Sequence, residues 1–313
     1  MKSEKEIKQA CSSPDISVKI GDLELKNPVM LASGTCGYGL EFADFVDPSS
    51  LGAVVVKGLS LEPREGNPPP RLAETPCGLL NAIGLENIGL DAFLKQKLPW
   101  LMERNVTVVV NILGSTLEEY QRIAARLSES SGVHAIEVNI SCPNVKKGGV
   151  AFGTDLVQAA NVTRKVVEVS SIPVIVKLSP NVTDICAIAK AVEDAGATAV
   201  SLINTLLGMV IDIHNRRPAL GNVFGGLSGP AIKPIALRMV WQVARCVGIP
   251  VIGIGGIATA EDALEFLMAG ALAVQIGTAT LVDPLASKNV LNGIVDFLTK
   301  NNYRNLVELR ISS

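Results

Sequence analysis

Short apolar runs recur eight times along the chain and constrain its fold more than any other feature. They cover residues 28–32, 53–56, 106–110, 135–140, 173–176, 198–203, 250–254 and 272–276. Each is apolar at consecutive positions, not alternate ones, so a strand made from it is covered on both faces. That is the pattern of a parallel sheet with helices around it. Helical spacing fills most of the intervals, for example at 117–127, 183–194, 235–247 and 260–268. Ala195-Gly196 and Ala269-Gly270 read as helix stops leading into the next strand.

A strand–helix unit repeated eight times with right-handed crossovers closes into a barrel. An open doubly wound sheet is the alternative, but neither G-x-G-x-x-G after the first strand nor the P-loop G-x-x-x-x-G-K-[ST] is present. The expected architecture is α/β, a (β/α)8 TIM barrel over residues 16–313 behind a polar N-terminal tail, 1–15. Two connections exceed what a turn needs, the proline-rich 59–80 and the glycine-rich 206–231. Connections of that length act as lids or binding loops, here covering the C-terminal face.

Composition narrows the partners. With 48% apolar and 19% charged residues, the 313-residue chain can bury a sizeable core. Lys plus Arg total 28 against 30 for Asp plus Glu, a net charge of −2, so no general attraction to nucleic acid or anionic lipid is expected. No apolar run approaches the roughly 18 residues that cross a bilayer. The lysine- and glutamate-rich N-terminus lacks the apolar stretch of a secretory signal, so a cytoplasmic location follows by default. Six cysteines (Cys11, Cys36, Cys77, Cys142, Cys186, Cys246) are scattered without C-x-x-C spacing, against a disulfide framework, a zinc site or a self-contained iron–sulfur site. Two histidines, His134 and His214, are too few for histidine-based zinc catalysis.

In such a barrel the C-terminal ends of the strands form the active-site floor. Following the eight runs in order stand Ser33-Gly34, Lys57-Gly58, Asn111, Asn139 with Cys142, Lys177, Asn204-Thr205, Gly255-Gly256 and Gly277-Thr278. Two lysines, three asparagines and a cysteine then converge with no carboxylate among them, which suits an electron-rich, anionic ligand. Taken singly, each has an ordinary structural explanation: a snorkelling lysine, a turn-forming asparagine, a small buried thiol. Six of them at matching positions of successive strands favour function. The last two glycine pairs are either tight βα turns or the phosphate-binding loops that many barrels place there. A cofactor with a phosphate monoester fits the second reading. Flavin mononucleotide (FMN) would also account for Lys177, since a cation beside the flavin's pyrimidine end stabilises the charge that appears on reduction.

The stretches Ala32-Ser33-Gly34-Thr35, Asn81-Ala82-Ile83-Gly84-Leu85-Glu86-Asn87 and Asn139-Ile140-Ser141-Cys142-Pro143-Asn144 resemble those of class 1 dihydroorotate dehydrogenases. So do Val176-Lys177-Leu178-Ser179-Pro180-Asn181, Asn204-Thr205-Leu206, Gly225-Gly226-Leu227-Ser228-Gly229-Pro230 and the two late glycine pairs. The likeness runs from about Val18 to the end. It is greatest to the class 1B catalytic subunit, on the Asn-Ala-Ile-Gly-Leu motif and the run from Ser179 to Asp184.

The resemblance implies oxidation of (S)-dihydroorotate to orotate in pyrimidine synthesis. By it, Cys142 is the base that removes the C5 proton, and a hydride passes from C6 to FMN. Ser33, Lys57, Gly58, Asn111, Asn139, Lys177, Ile203, Gly229, Gly255, Gly256, Gly277 and Thr278 would hold FMN. Lys57, Asn81, Ala82, Ile83, Gly84, Leu85, Asn139, Asn144, Asn204 and Thr205 would hold orotate. A class 1B enzyme passes the electrons to a partner subunit carrying FAD and a [2Fe–2S] cluster and then to NAD+, as a heterotetramer around a homodimer core. A fumarate-linked class 1A enzyme, a dihydropyrimidine dehydrogenase acting on dihydrouracil and a non-catalytic flavin-binding subunit are the alternatives. Cys36 departs from the family pattern, which has phenylalanine there, and touches only local packing.

Overall fold

The computed structural model describes residues 13–141 and 152–311. It opens with β1 (Val18–Ile20) and β2 (Leu23–Leu25), an antiparallel hairpin, followed by β3 (Val29–Leu31) and β4 (Ala53–Leu59). Next come β5 (Leu72–Thr75), β6 (Gly78–Asn81), α1 (Leu90–Gln96), α2 (Leu98–Glu103) and β7 (Val108–Ile112). Strand and helix then alternate through α3 (Leu117–Ser128), β8 (Ala135–Asn139), α4 (Leu156–Val167), β9 (Val174–Lys177), α5 (Ile185–Asp194) and β10 (Ala199–Leu202). An excursion holds β11 (Leu206–Gly208), β12 (Ile211–Asp212), β13 (Arg217–Pro218) and β14 (Gly225–Ser228). The chain ends with α6 (Lys233–Cys246), β15 (Val251–Ile254), α7 (Ala260–Met268), β16 (Ala273–Ile276), α8 (Ala279–Val282) and α9 (Ala286–Lys300).

All eight apolar runs are strands of one closed parallel barrel, in the order β3-β4-β7-β8-β9-β10-β15-β16. Closure is explicit in the pairing of β16 with β3, where Ile276 stands opposite Leu31, and it rules out the open sheet. The consecutive apolar pattern is explained by burial on both sides: Val54, Val55 and Val56 of β4 and Val108, Val109 and Val110 of β7 are all fully buried. Branched side chains suit this pleated surface and are stiff enough to order it.

Caps set the helix boundaries. Asp184 accepts the N–H groups of Cys186 and Ala187, so α5 begins at Ile185, two residues later than the periodicity of 183–194 predicts. Thr259 and Asp262 form a reciprocal capping box at the start of α7. The expected stops hold, with Gly196 and Gly270 adopting φ of +96° and +114° just past α5 and α7.

The two long connections, 59–80 and 206–231, meet each other. Strands β5 and β6 from the first and β11 and β14 from the second form one antiparallel sheet, ordered β11-β14-β6-β5. Asn81 pairs with Gly226 in it, 145 residues away in the chain. This sheet lies over the C-terminal mouth. At the opposite end the β1–β2 hairpin packs its Ile20 and Leu25 into the core, with Gly21 against Thr198 and Pro173 at the starts of β10 and β9. Among the described residues, no helix is long and apolar enough to cross a membrane.

Candidate active site

A cavity of about 400 Å³ opens at the C-terminal ends of the barrel strands, beneath the β5–β6 and β14 strands of the mouth sheet. Of the residues expected at a cofactor site, Ser33, Lys57, Gly58, Asn111, Asn139, Lys177, Ile203, Gly229, Gly255, Gly256, Gly277 and Thr278 all line it. So do Asn81, Ile83, Gly84 and Leu85, carried in from β6 and the turn after it. Three expected substrate residues do not border it. Ala82 packs its side chain with Leu80 and Leu220, and its backbone is spent on Arg71 O and the Asn67 amide. Asn204 and Thr205 sit just behind the wall, where the Asn204 amide donates to Asn139 Oδ1 at 3.4 Å and accepts the Thr205 N–H. Cys142 and Asn144 lie outside the described residues.

Local sequence explains the placement. Lys57 projects from β4 where its register with β7 shifts between Val56 and Leu59. Asn139 closes β8; its backbone carbonyl accepts the Tyr120 hydroxyl at 2.7 Å and its Oδ1 accepts the Ser141 N–H at 3.1 Å, so backbone and side chain are each held. Gly256, at φ +75°, lies so close to α6 that a Cβ there would stand 2.7 Å from the Lys233 N, and only glycine makes that turn.

The charges are arranged unevenly. Burial holds the Lys57 ammonium below the usual lysine range, and Glu86, itself ion-paired to Arg71, works against that shift. Lys177 is buried with its Nζ 3.6 Å from Glu137 Oε1. As expected of the strand ends, no carboxylate lines the cavity among the described residues, but one lies a layer below it, Glu137, fully buried in the middle of β8. It accepts from Asn111 Nδ2 at 2.7 Å, Ser201 Oγ at 2.8 Å and Gln275 Nε2 at 2.8 Å. All four contacts are donors, the set an acceptor-only carboxylate satisfies.

Strand-end reasoning also missed Gln275, Leu79 and Ser228, which line the cavity. For Gln275 and Glu137 the signal was available, since each is a polar residue interrupting an apolar run. Ser228 links the mouth sheet to the barrel by accepting the Thr278 hydroxyl at 2.8 Å. Cys36 is packed in the core, and burial pushes its thiol up to about 12, so it behaves as a small apolar residue.

The cavity thus presents a buried and a half-buried cation and several amides, glycine backbone from the ends of β15 and β16, and apolar walls from Ile203 and Ile254. A flat, electron-rich ligand with an anionic tail fits those surfaces.

A family model of dihydroorotate dehydrogenase matches residues 15–298. A Geobacter sp. (strain M21) protein named dihydroorotate dehydrogenase B (NAD(+)), catalytic subunit, is 58% identical over 296 residues, covering 95% of this chain and 97% of that one. Proteins of the same name from Desulforamulus reducens and Geotalea daltonii are 58% and 56% identical, covering 94% and 95% of this chain and 97% and 98% of theirs. On the match across nearly its whole length, the chain belongs to the dihydroorotate dehydrogenase family.

Proposed function

We propose that this chain oxidises (S)-dihydroorotate to orotate in cytoplasmic pyrimidine synthesis, with FMN as the first electron acceptor. One observation carries the reading: Lys57, Lys177, Asn81, Asn111 and Asn139 converge with the Gly255-Gly256 and Gly277-Thr278 turns in a single cavity.

The residues present fit FMN. A Cβ built on Gly277 has only the Ala32 Cβ, at 3.5 Å, near it, so the glycine leaves open the space a phosphate would take. Gln275 Oε1 is buried at the cavity with no hydrogen-bond partner among the described residues, as expected of a group reserved for a ligand. Gly229, Gly255, Gly256, Gly277 and Thr278 would hold the phosphate, and Ser33, Lys57, Gly58, Asn111, Asn139, Lys177 and Ile203 the ring system. When bound, FMN supplies the two-electron acceptor for the hydride leaving C6.

The protein's own groups do the rest. Cys142 takes the C5 proton onto its sulfur; loss of that proton and of the C6 hydride leaves the C5–C6 double bond of orotate. A proton α to a carbonyl is weakly acidic, so the base works only if donors stabilise the charge that develops. Asn81, Asn139, Asn144, Lys57 and the 83–85 backbone serve as those donors and fix the substrate, with Asn204 and Thr205 supporting Asn139 from behind. A thiol, with an ordinary pKa of about 8.5, acts as base once its surroundings favour thiolate.

The relatives' names, which carry both NAD(+) and "catalytic subunit", support a partner chain as the next electron carrier. That partner would hold FAD and a [2Fe–2S] cluster and pass electrons to NAD+, in a heterotetramer around a homodimer of this chain. Steady-state assays test both parts. Dihydroorotate, but not dihydrouracil, should drive reduction of an artificial dye by the isolated chain, and NAD+ reduction should appear only when a flavin- and cluster-bearing partner is added. Turnover with fumarate alone would place the chain in class 1A, and preference for dihydrouracil would remove the substrate assignment.

A further inference from the structure

We propose that Gln275 holds the flavin through its Oε1, which accepts the ring imide N–H, and that Glu137 is the positioning residue that sets the amide in that orientation. The proposal rests on the FMN reading above and extends it to two residues that reading leaves without a role.

Gln275 is fully buried in β16, between Val274 and Ile276, and it borders the cavity. A polar side chain in such a strand is retained at a desolvation cost unless both ends of its amide are paired. One end is: Nε2 donates to Glu137 Oε2 at 2.8 Å. A carboxylate only accepts, so the amide cannot turn over without setting its oxygen against an anion. The nitrogen is therefore committed to Glu137, and Oε1 is left buried without a partner among the described residues.

Glu137 is itself held from three further strands: Asn111 on β7, Lys177 on β9 and Ser201 on β10. With those contacts in place it has no freedom to follow a rotating glutamine. The result is a pre-set acceptor at the cavity, fixed before any ligand arrives.

The ligand must then bring a donor. The oxidised isoalloxazine ring has a single N–H, the imide of its pyrimidine part, and its other polar ring atoms are acceptors. Within the ring, Gln275 Oε1 can pair only with that N–H; the ribityl hydroxyls are the flavin's other donors, and methylation of the imide leaves them untouched. Lys177, which shares Glu137 with Gln275, is a donor at the same end and suits the acceptors flanking the imide. Donor and acceptor together read the pyrimidine end and fix which way round the ring lies.

Flavin-free protein titrated with FMN and with FMN methylated at the imide nitrogen, followed by quenching of flavin fluorescence, tests this without turnover. The native protein should bind the methylated flavin at least about tenfold more weakly, the scale of one lost buried hydrogen bond. Gln275→Ala removes the acceptor and makes room for the methyl group, so it should weaken FMN binding and bring the ratio of the two affinities to about one. Glu137→Gln, which lets the Gln275 amide rotate, should lower the ratio as well. Equal binding of both flavins by the native protein overturns the proposal, and that comparison needs no variant to fold. Discrimination that survives Gln275→Ala also overturns it, because the methyl group is then obstructed elsewhere. Failure to bind either flavin overturns the FMN reading itself.

Discussion

Replacing Lys177 with methionine leaves Glu137 a fully buried carboxylate whose remaining donors, Asn111, Ser201 and Gln275, are all neutral. Two unit charges 3.6 Å apart attract by about 5 kcal/mol at an effective dielectric constant of about 20. Desolvation of both groups offsets much of that in the intact pair, but removing one partner keeps the other's desolvation cost while losing the attraction. Breaking such a pair costs about 3–5 kcal/mol. At about 2 °C per kcal/mol for a chain of this size, Lys177→Met should lower the melting temperature of the flavin-free protein by about 6–10 °C. Adding Glu137→Gln removes the stranded charge, so the double variant should melt above the sum of the two single losses, with a coupling of about 2 kcal/mol. Four proteins melted by circular dichroism at one pH and salt concentration give the cycle. A Lys177→Met melt within about 2 °C of native, or strict additivity, would show that the two residues are not a coupled pair.

Other consequences follow from the same geometry. Cys142→Ala should leave FMN bound but slow its reduction by dihydroorotate by about two to four orders of magnitude in stopped flow, and an unchanged rate removes Cys142 as the base. Gly256→Ala should destabilise the flavin-free protein by about 2–4 kcal/mol, combining positive-φ strain with the clash at Lys233. Gly277→Ala, whose Cβ meets only ordinary contact at 3.5 Å, should leave that melt unchanged and weaken FMN binding instead; a melt that falls equally in both would refute the distinction. For Lys57, burial lowers the ammonium's pKa in the fold below its ordinary 10.5, so the unfolded chain holds the proton more tightly. Its charge therefore costs stability at neutral pH, and the cost fades as pH rises towards 10.5. Lys57→Met should melt above the native protein at pH 7, with the advantage shrinking as pH approaches 10.5, and should bind orotate more weakly.

The barrel was readable because its strands are buried on both faces, and that burial writes itself into consecutive residues such as Val54, Val55 and Val56. The mouth sheet was not readable as a sheet. Its strands β5 and β14 are short and partly exposed, and Asn81 finds Gly226 across 145 residues, a pairing that no local period encodes. The sequence marked the two connections as too long for turns and as covers for the C-terminal face, not as strands of one sheet. The β1–β2 hairpin did leave a trace, alternating buried and exposed residues across Gly21-Asp22, in a pattern easily lost beside the longer runs.

Within the site, looking at the polar residues that end or follow each apolar run found Lys57, Asn111, Asn139 and Lys177. The same rule passed over Glu137 and Gln275 because they lie inside the runs, one layer lower. It also gave Ala82 more than the structure supports: the motif residues on either side, Asn81 and Ile83, reach the cavity, whereas alternation along the chain turns Ala82 away from it. Periodicity thus locates a strand end well, but which side of it a residue faces depends on pleat and register.

The central claim, that this cavity carries a flavin that dihydroorotate reduces, is met most directly by one anaerobic visible spectrum of the purified chain, recorded before and after adding dihydroorotate. The account predicts a yellow protein whose flavin absorbance bleaches with dihydroorotate and not with dihydrouracil. A yellow protein that dihydroorotate leaves unchanged, or a colourless chain that FMN does not reconstitute, would contradict it.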